Sequence, residues 1–241
     1  MSINGLSAGP FSRRQFARAA AALAAGICAA PLAPTVAPAQ TAPSEAERAA
    51  YTGLHRAAAL GDAAQIRKLL AQGADPKARD AAGRTPLHVA AFGSHYDAVR
   101  ALVAGGGDIN ALEGQRYDVI TIAAVKDDVR MVKLALELGG NAKMITSPYD
   151  GTALIAAAHL GHAEVVQALI DGGAPLDHVN NLGWTALIEA VILGDGGPRH
   201  QTTVAELVAA GADRTIADRG GVTPLQHAQR RGYQKIVATL Q

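Results

Sequence analysis

The feature that most constrains this chain is a seven-residue sequence that returns at a nearly fixed interval. The copy at Thr85–Ala91 reads Thr-Pro-Leu-His-Val-Ala-Ala. Related sequences begin at Thr52, Asp118, Thr152, Thr185 and Thr223, so that successive starts are 33, 33, 34, 33 and 38 residues apart. A period of this length, held over every copy, indicates a repeat array in which each copy is one supersecondary unit packed on its neighbours.

The period and the Thr-Pro-Leu-His-x-Ala-Ala pattern resemble the ankyrin repeat family, over residues 48–241. The resemblance implies an all-α fold, a solenoid of about six helix–turn–helix repeats joined by short β-turn or hairpin loops. The expected repeats, numbered here as copies one to six, are 48–79, 80–112, 113–146, 147–179, 180–217 and 218–241.

Residue types within a copy predict a turn, a short helix, a tight reversal and a second helix. In copy two, Gly83 suits a turn, Thr85 is placed to cap the first helix, and Pro86 stands at the first helical position, where no amide donor is needed. Apolar residues then recur at three- and four-residue spacing, as at Val99 and Leu102. Because one copy cannot bury both faces of its helices, the stability is expected to come from stacking.

Two copies depart from the pattern. Copy three has Lys126–Asp128 where Gly-His is usual, which predicts a less tight reversal, although Asp118 can still cap the helix. Copy five has five extra residues near 195–201, which we interpret as a loop inserted between its two helices.

The first 39 residues lie outside the repeats and resemble a twin-arginine (Tat) export signal. The motif is Ser12-Arg13-Arg14-Gln15-Phe16, followed by an alanine-rich apolar run and by Ala37 and Ala39 at the positions where a signal peptidase needs small residues. The prediction is cleavage before Gln40 after passage through the Tat translocase, which would place the body in the periplasm. Residues 40–47 are interpreted as a flexible lead-in, with Ser44 as the N-cap of a helix beginning near Glu45.

Other interpretations of this leader are weaker. Pro31 and Pro34 interrupt the apolar run and disfavour a permanent membrane anchor. Ile27 stands before Cys28, where a lipid-modified cysteine would follow a small residue. An intracellular protein with an accidental arginine pair remains an open alternative.

Charge and cysteine content limit the partners and the chemistry of the body. The chain has 22 Lys and Arg and 21 Asp and Glu, but the leader carries three arginines and no acid, so residues 40–241 have 22 − 3 = 19 basic residues against 21 acidic ones, a net charge of −2. This balance argues against nucleic acid as a partner. Cys28 is the only cysteine, so the body has no thiol chemistry.

No nucleophile elbow or phosphate-binding glycine motif is present, and we expect neither enzymatic activity nor a cofactor. The family resemblance implies that His55 and His88 form hydrogen bonds between adjacent turns. His159 and His162 are three residues apart, a spacing that can bind a metal. The alternative function is therefore a metal- or small-molecule-dependent enzyme or binding protein that uses these two histidines and the 195–201 loop.

The favoured function is binding of another protein, without catalysis. The resemblance implies that the turn tips and the outward part of each first helix line a concave binding face. These positions are Arg84, Phe92, Tyr117, Lys126, Tyr149, His159, Leu160, Trp184, Ile192, Leu193, Val222, Arg230 and Arg231. Aromatic residues are frequent among them, which is typical of interfaces. Alternatively, the aromatic rings pack over neighbouring turns and stiffen the array.

Overall fold

The structure, a computed structural model, describes residues 40–241, which form one compact unit. Its helices are α1 Glu45–Ala50, α2 Gly53–Ala59, α3 Ala63–Ala71, α4 Pro86–Phe92, α5 Tyr96–Ala104, α6 Val119–Val125, α7 Val129–Glu137, α8 Ala153–Leu160, α9 Ala163–Asp171, α10 Ala186–Ile192, α11 Pro198–Ala209, α12 Pro224–Arg231 and α13 Gln234–Leu240. None of these described helices has the length and apolar character needed to cross a bilayer.

The helices form six antiparallel pairs, which confirms the predicted all-α solenoid. After α1, even-numbered helices are the first helix of a copy and odd-numbered helices are the second. Each first helix packs on its own second helix and on the first helix of the next copy. Small residues permit this close approach: Ala58, Ala90 and Ala123 have no exposed surface. Larger side chains such as Leu102 and Leu169 fill the space behind them and are also fully buried.

Side-chain caps begin the first helices of copies three to six, whereas Thr52 of copy one forms no such bond. The Asp118 carboxylate accepts the Thr121 N–H at 2.7 Å, and Thr152 and Thr185 accept equivalent bonds in copies four and five. In copy two, His88 Nδ1 accepts the Thr85 N–H at 3.0 Å while its Nε2 donates to the Ala111 carbonyl at 2.9 Å. Burial lowers the pKa of His88 to about 4, so this imidazole is neutral near pH 7.

Hairpin-like turns precede the first helices and bond to one another. One side chain in each turn accepts two backbone N–H groups; Asp80 Oδ1, for instance, accepts those of Ala82 and Arg84. Successive turns are then joined by backbone hydrogen bonds, such as Gly114 N–H to the Ala82 carbonyl at 3.0 Å. The turns therefore form a continuous row along one edge of the array.

The reversal between the two helices of a copy is joined to the copy before it. His95 Nε2 donates to the Ala59 carbonyl at 3.1 Å, and His162 Nδ1 donates to the Ala124 carbonyl at 2.8 Å. In copy three, Asp128 stands at the histidine position, and Lys126 forms the bond to the preceding copy instead: its Nζ donates to the Phe92 carbonyl at 2.5 Å. The less tight reversal predicted there is wrong: three residues separate the helices in both copies two and three.

The extra residues of copy five lengthen both the reversal and the second helix. Five residues, 193–197, separate α10 from α11, compared with three in copy two, so part of the loop predicted at 195–201 is present. The rest is helical, because α11 begins at Pro198 and has 12 residues, whereas α9 has 9. Pro198 suits the first helical turn, where its missing N–H costs nothing. The longer helix places His200 in the position of the usual reversal histidine, where its Nε2 donates to the His159 carbonyl at 3.1 Å.

The lead-in is bonded to the repeats rather than detached from them. Ser44 caps α1 as predicted, and Ser44 and Glu47 form a reciprocal capping box. Glu45–Glu47, assigned to a flexible segment from the sequence, are the first turn of α1. The Glu47 carboxylate forms an ion pair with Arg84 of copy two, and Thr41 N–H donates to Gln115 Oε1 at 3.2 Å.

Candidate protein-binding face

One face of the array is built from the turns and from the last residues of the first helices; we call it the variable face. The repeat pattern specifies the residue types of the caps, the buried alanines and the turn acceptors. It does not specify the residue types on the variable face. Stacking brings equivalent positions of successive copies side by side. Two rows of side chains on this face are apolar and accessible in the central copies.

The first row lies at the ends of the first helices. Phe92, Val125 and Ile192 occupy equivalent positions in copies two, three and five, and all three are partly exposed. Leu160 and Leu193 follow at the next position; Leu160 is 36% exposed and Leu193 is partly buried. Four of these five side chains, all except Val125, were predicted from the sequence to lie on the binding face, and each of the four is accessible.

The second row was missed from the sequence. Leu112 and Val179 stand directly before the turn acceptors Glu113 and Asn180 of copies three and five. Ile145 stands two residues before the acceptor Ser147, because the turn of copy four is one residue longer. Ile145 and Val179 are each 46% exposed, which is unusual for β-branched residues in a folded chain. The signal available in the sequence was their shared register, since three consecutive copies have a large aliphatic residue at this position.

Two predicted contact residues are buried, and those predictions are wrong. Arg84 is 2% exposed, because its guanidinium lies between the carboxylates of Glu47 and Asp80. Tyr51 donates to the same Asp80 at 2.6 Å. Burial alone would raise the pKa of Asp80, but the hydrogen bonds from Tyr51 and Arg84 hold it below its ordinary value. Arg84 therefore fastens α1 to copy two instead of facing a partner.

Tyr117 is 8% exposed and packs within the hydrophobic core, and this burial raises the pKa of its hydroxyl to about 12. The alternative interpretation, in which an aromatic ring stiffens the array, holds for this residue. Tyr149, Trp184 and Val222 are partly buried and remain accessible on the turns.

A polar cluster lies beside the apolar rows in copies four and five. The Glu189 side chain stands on α10 at the position of Val89 in copy two and is 4% exposed. Its carboxylate accepts Asn180 Nδ2 at 2.7 Å, and its other oxygen lies 3.2 Å from His159 Nδ1. His159 is the member of the cluster that faces the surface, since its side chain is 23% exposed, compared with 6% for Glu189.

Family models for ankyrin repeats match two stretches of the chain. One matches residues 120–218 and the other matches residues 54–103. The ankyrin repeat protein YahD of Escherichia coli K12 is 32% identical over 115 residues, a match that covers 47% of this chain and 57% of YahD. The chain thus spans little more than half of the length of that relative.

Two solved structures match over nearly their whole length. The crystal structure of an ankyrin repeat domain from Acinetobacter baumannii AYE is 43% identical, with a TM-score of 0.74, and the match covers 78% of this chain and 95% of that domain. The chain belongs to the ankyrin repeat family. The ankyrin repeat protein EF0377 is 30% identical, with a TM-score of 0.71 and coverage of 79% and 98%.

The ankyrin repeat assignment agrees with the roles of the histidines. His55 Nε2 donates to the Arg84 carbonyl at 3.0 Å, and His88 bonds to Ala111 as described above, so both predicted inter-turn bonds are confirmed. His159 and His162, the proposed metal pair, have separate partners in Glu189 and Ala124. In residues 40–241, no group of three or more metal-ligating side chains converges.

The ankyrin repeat is typically a non-enzymatic module, and ankyrin repeat proteins generally mediate protein–protein interaction. The export signal residues Ser12, Arg13, Arg14 and Phe16 and the cleavage residues Ala37 and Ala39 lie outside the described residues.

Proposed function

We propose that this chain is a non-catalytic module that binds a partner protein through the variable face, after export to the periplasm by the Tat translocase. The observation that carries the binding proposal is the pair of accessible apolar rows, with Ile145 and Val179 each 46% exposed and Leu160 36% exposed. Contiguous exposed aliphatic side chains on a soluble fold mark interaction sites.

The rigidity of the support favours the same function. The turns are joined by backbone hydrogen bonds, and each reversal is bonded to the preceding copy. Side chains held on a pre-ordered frame lose little conformational entropy when they are covered by a partner.

A pull-down from periplasmic extract tests the binding proposal. The bait is the unit Gln40–Gln241, beside a variant with Ile145→Ser, Leu160→Ser and Val179→Ser. Because each of these residues is 36–46% exposed, the variant is expected to unfold at nearly the same denaturant concentration as the parent while losing the partner. A matched control, Arg67→Gln with Arg100→Gln, changes the second helices only. A protein that all three baits retain equally would refute the assignment of this face.

Fractionation tests the export proposal separately. The full chain is expressed in a bacterial strain that lacks the Tat translocase and in its parent. Export predicts a shortened chain beginning at Gln40 in the periplasm of the parent and an uncleaved chain in the cytoplasm of the mutant. A full-length cytoplasmic chain in both strains would support the intracellular alternative.

A further inference from the structure

The carboxylates on the variable face are engaged within the fold. Asp80 is paired with Arg84, Asp150 with Arg116, and Asp218 with His227. Glu113 accepts the backbone N–H groups of Gln115 and Tyr117, and Glu189 is bonded to Asn180 and His159. The negative charges of the described turns are therefore directed inward or neutralised locally.

The cations on the same face are arranged differently. Arg79 Nη1 donates to the carbonyls of Gly83 at 2.6 Å and Leu112 at 2.7 Å, so that it bridges the turns of copies two and three. Arg219 Nη2 donates to the Asn181 carbonyl of the preceding turn at 2.5 Å. The carbonyl groups hold these guanidinium groups in place by hydrogen bonds, and because a carbonyl is neutral, the positive charge is not neutralised.

Lys126 follows the same rule, since its Nζ is held by the Phe92 carbonyl and by Ser94 Oγ at 2.9 Å. Within residues 40–241, none of Arg79, Lys126 and Arg219 forms an ion pair with a carboxylate. Copy six adds Arg230, which is exposed, and Arg231, whose guanidinium lies 5.9 Å from the Tyr233 ring centroid.

These positive charges flank the apolar rows. Arg79 and Lys126 belong to copies one and three, whereas Arg219, Arg230 and Arg231 belong to copy six. The exposed side chains of Ile145, Leu160 and Val179 lie at the end of copy three and in copy four, between these two groups of cations. The arrangement stands out because residues 40–241 as a whole carry a net charge of −2.

We propose that the partner is a protein whose contact surface has an apolar centre and carboxylates on both sides of it. This inference rests on the proposed binding function of the variable face and adds the chemistry of its partner. Interfaces combine an apolar centre with a polar rim, and opposite charges on the rim accelerate encounter and fix the register. Cations already held by carbonyls lose little side-chain entropy when a carboxylate approaches.

The apolar centre favours an acidic protein over a nucleic acid. A nucleic acid strand carries a phosphate at each nucleotide and is bound by continuous cations with aromatic stacking platforms. Copies three and four instead present Ile145, Leu160 and Val179 at the centre of the face. Aliphatic side chains at the centre of the face can pack against aliphatic side chains of a protein, but they cannot form hydrogen bonds or ion pairs with the phosphates of a nucleic acid.

Two synthetic peptides test the proposal against the unit Gln40–Gln241. Both contain the same leucine-rich centre; one has glutamates at its two ends and the other has lysines. Binding is measured by fluorescence anisotropy at low and high salt, together with a single-stranded oligonucleotide. The expected result is an affinity about tenfold higher for the glutamate peptide at low salt, with the difference shrinking at high salt.

Variants locate the effect. Arg230→Gln with Arg231→Gln, which removes two of the five cations, is expected to reduce the preference, while Arg67→Gln with Arg100→Gln, which removes the same charge from the second helices, is expected to preserve it. Equal affinities for the two peptides would overturn the proposal that the partner carries carboxylates, but they would not contradict binding through the apolar rows. Tighter binding of the oligonucleotide than of the glutamate peptide, or binding of neither peptide, would also overturn it. The pull-down with the apolar triple variant judges the binding function independently.

Discussion

Arg199 of copy five reaches past copy four to Asp127 of copy three, where its Nη2 lies 2.5 Å from Asp127 Oδ2. On the way, its Nε donates to the Gly161 carbonyl of copy four at 3.0 Å. Most bonds between repeats join nearest neighbours, whereas this one spans three copies. The contact exists because the added residues start α11 early enough for its first turn to extend over copy four.

Removing this contact is expected to have a small but measurable effect. The side chains of Arg199 and Asp127 are 61% and 37% exposed, so solvent screens the pair and its coupling energy should be below about 1 kcal/mol. A double-mutant cycle with Arg199→Ala and Asp127→Ala, followed by urea unfolding, measures it. A coupling energy of zero would show that the ion pair does not link copies three and five energetically.

Replacing Arg84 should be far more damaging than replacing an exposed arginine. Arg84→Ala leaves the largely buried Asp80 carboxylate without its main cation, and we expect a loss of about 3 kcal/mol in the free energy of unfolding. The control is Arg100→Ala, because Arg100 and Glu137 are both more than half exposed and their pair should contribute less than about 1 kcal/mol. Similar losses for the two variants would contradict the structural role of Arg84.

The turn glycines offer a matched comparison. Gly83 and Gly221 occupy the same register and have φ of +74° and +72°, so alanine meets similar backbone strain at both, about 1 kcal/mol. A Cβ at Gly83 would also lie 3.0 Å from the Gly114 backbone nitrogen, whereas nothing lies within 4 Å at Gly221. Gly83→Ala should therefore be more destabilising than Gly221→Ala by about 1–2 kcal/mol in chemical denaturation. Equal costs would mean that successive turns can separate without penalty.

Acidification should weaken the fold through His88. Burial lowers its pKa to about 4, compared with 6.5 for an unperturbed imidazole, so the unfolded chain binds a proton below pH 6.5 that the folded chain does not bind. The stability contributed by the neutral imidazole is complete above that pH and is lost as the pH falls towards 4, which amounts to about 2 kcal/mol by about pH 5.

Urea unfolding of the parent and of His88→Asn at several pH values measures this effect. Burial raises the pKa of Glu113 and Asp118, and those carboxyls add an opposite pH dependence to both proteins. Only the difference between the two proteins isolates the histidine. If that difference were independent of pH, His88 would not be the group responsible.

The elements that recur in every copy could be predicted from the sequence, because each of them depends on residues within its own repeat or the adjacent turn. Asp118 caps its helix despite replacing threonine, since a carboxylate accepts the same backbone N–H. His88 and His55 form the expected bonds because the repeat geometry fixes the distance from each imidazole to the next turn.

Predictions failed where a residue depends on something outside its own repeat. Arg84 lies in a turn, where the repeat pattern predicts an exposed side chain. It is buried because Glu47 of α1, a helix that the repeat pattern does not specify, forms an ion pair with it. Copy five was expected to contain a loop throughout 195–201, yet Pro198 can begin a helix as well as interrupt one, and His200 then restores the usual bond to the preceding copy. Ile145 and Val179 were overlooked because their register, rather than their residue type, places them on the binding face.

The bond from Arg199 to Asp127 also has a consequence for how the array responds to mechanical tension. When a stack held by nearest-neighbour contacts is pulled from both ends, its terminal units detach one at a time. Copies one, two and six have only such contacts, apart from the bonds of the lead-in to copies two and three. Copies three to five are also joined across Gly161, so we expect this central part of the array, which includes Ile145, Leu160 and Val179, to detach at a slightly higher force than copy six.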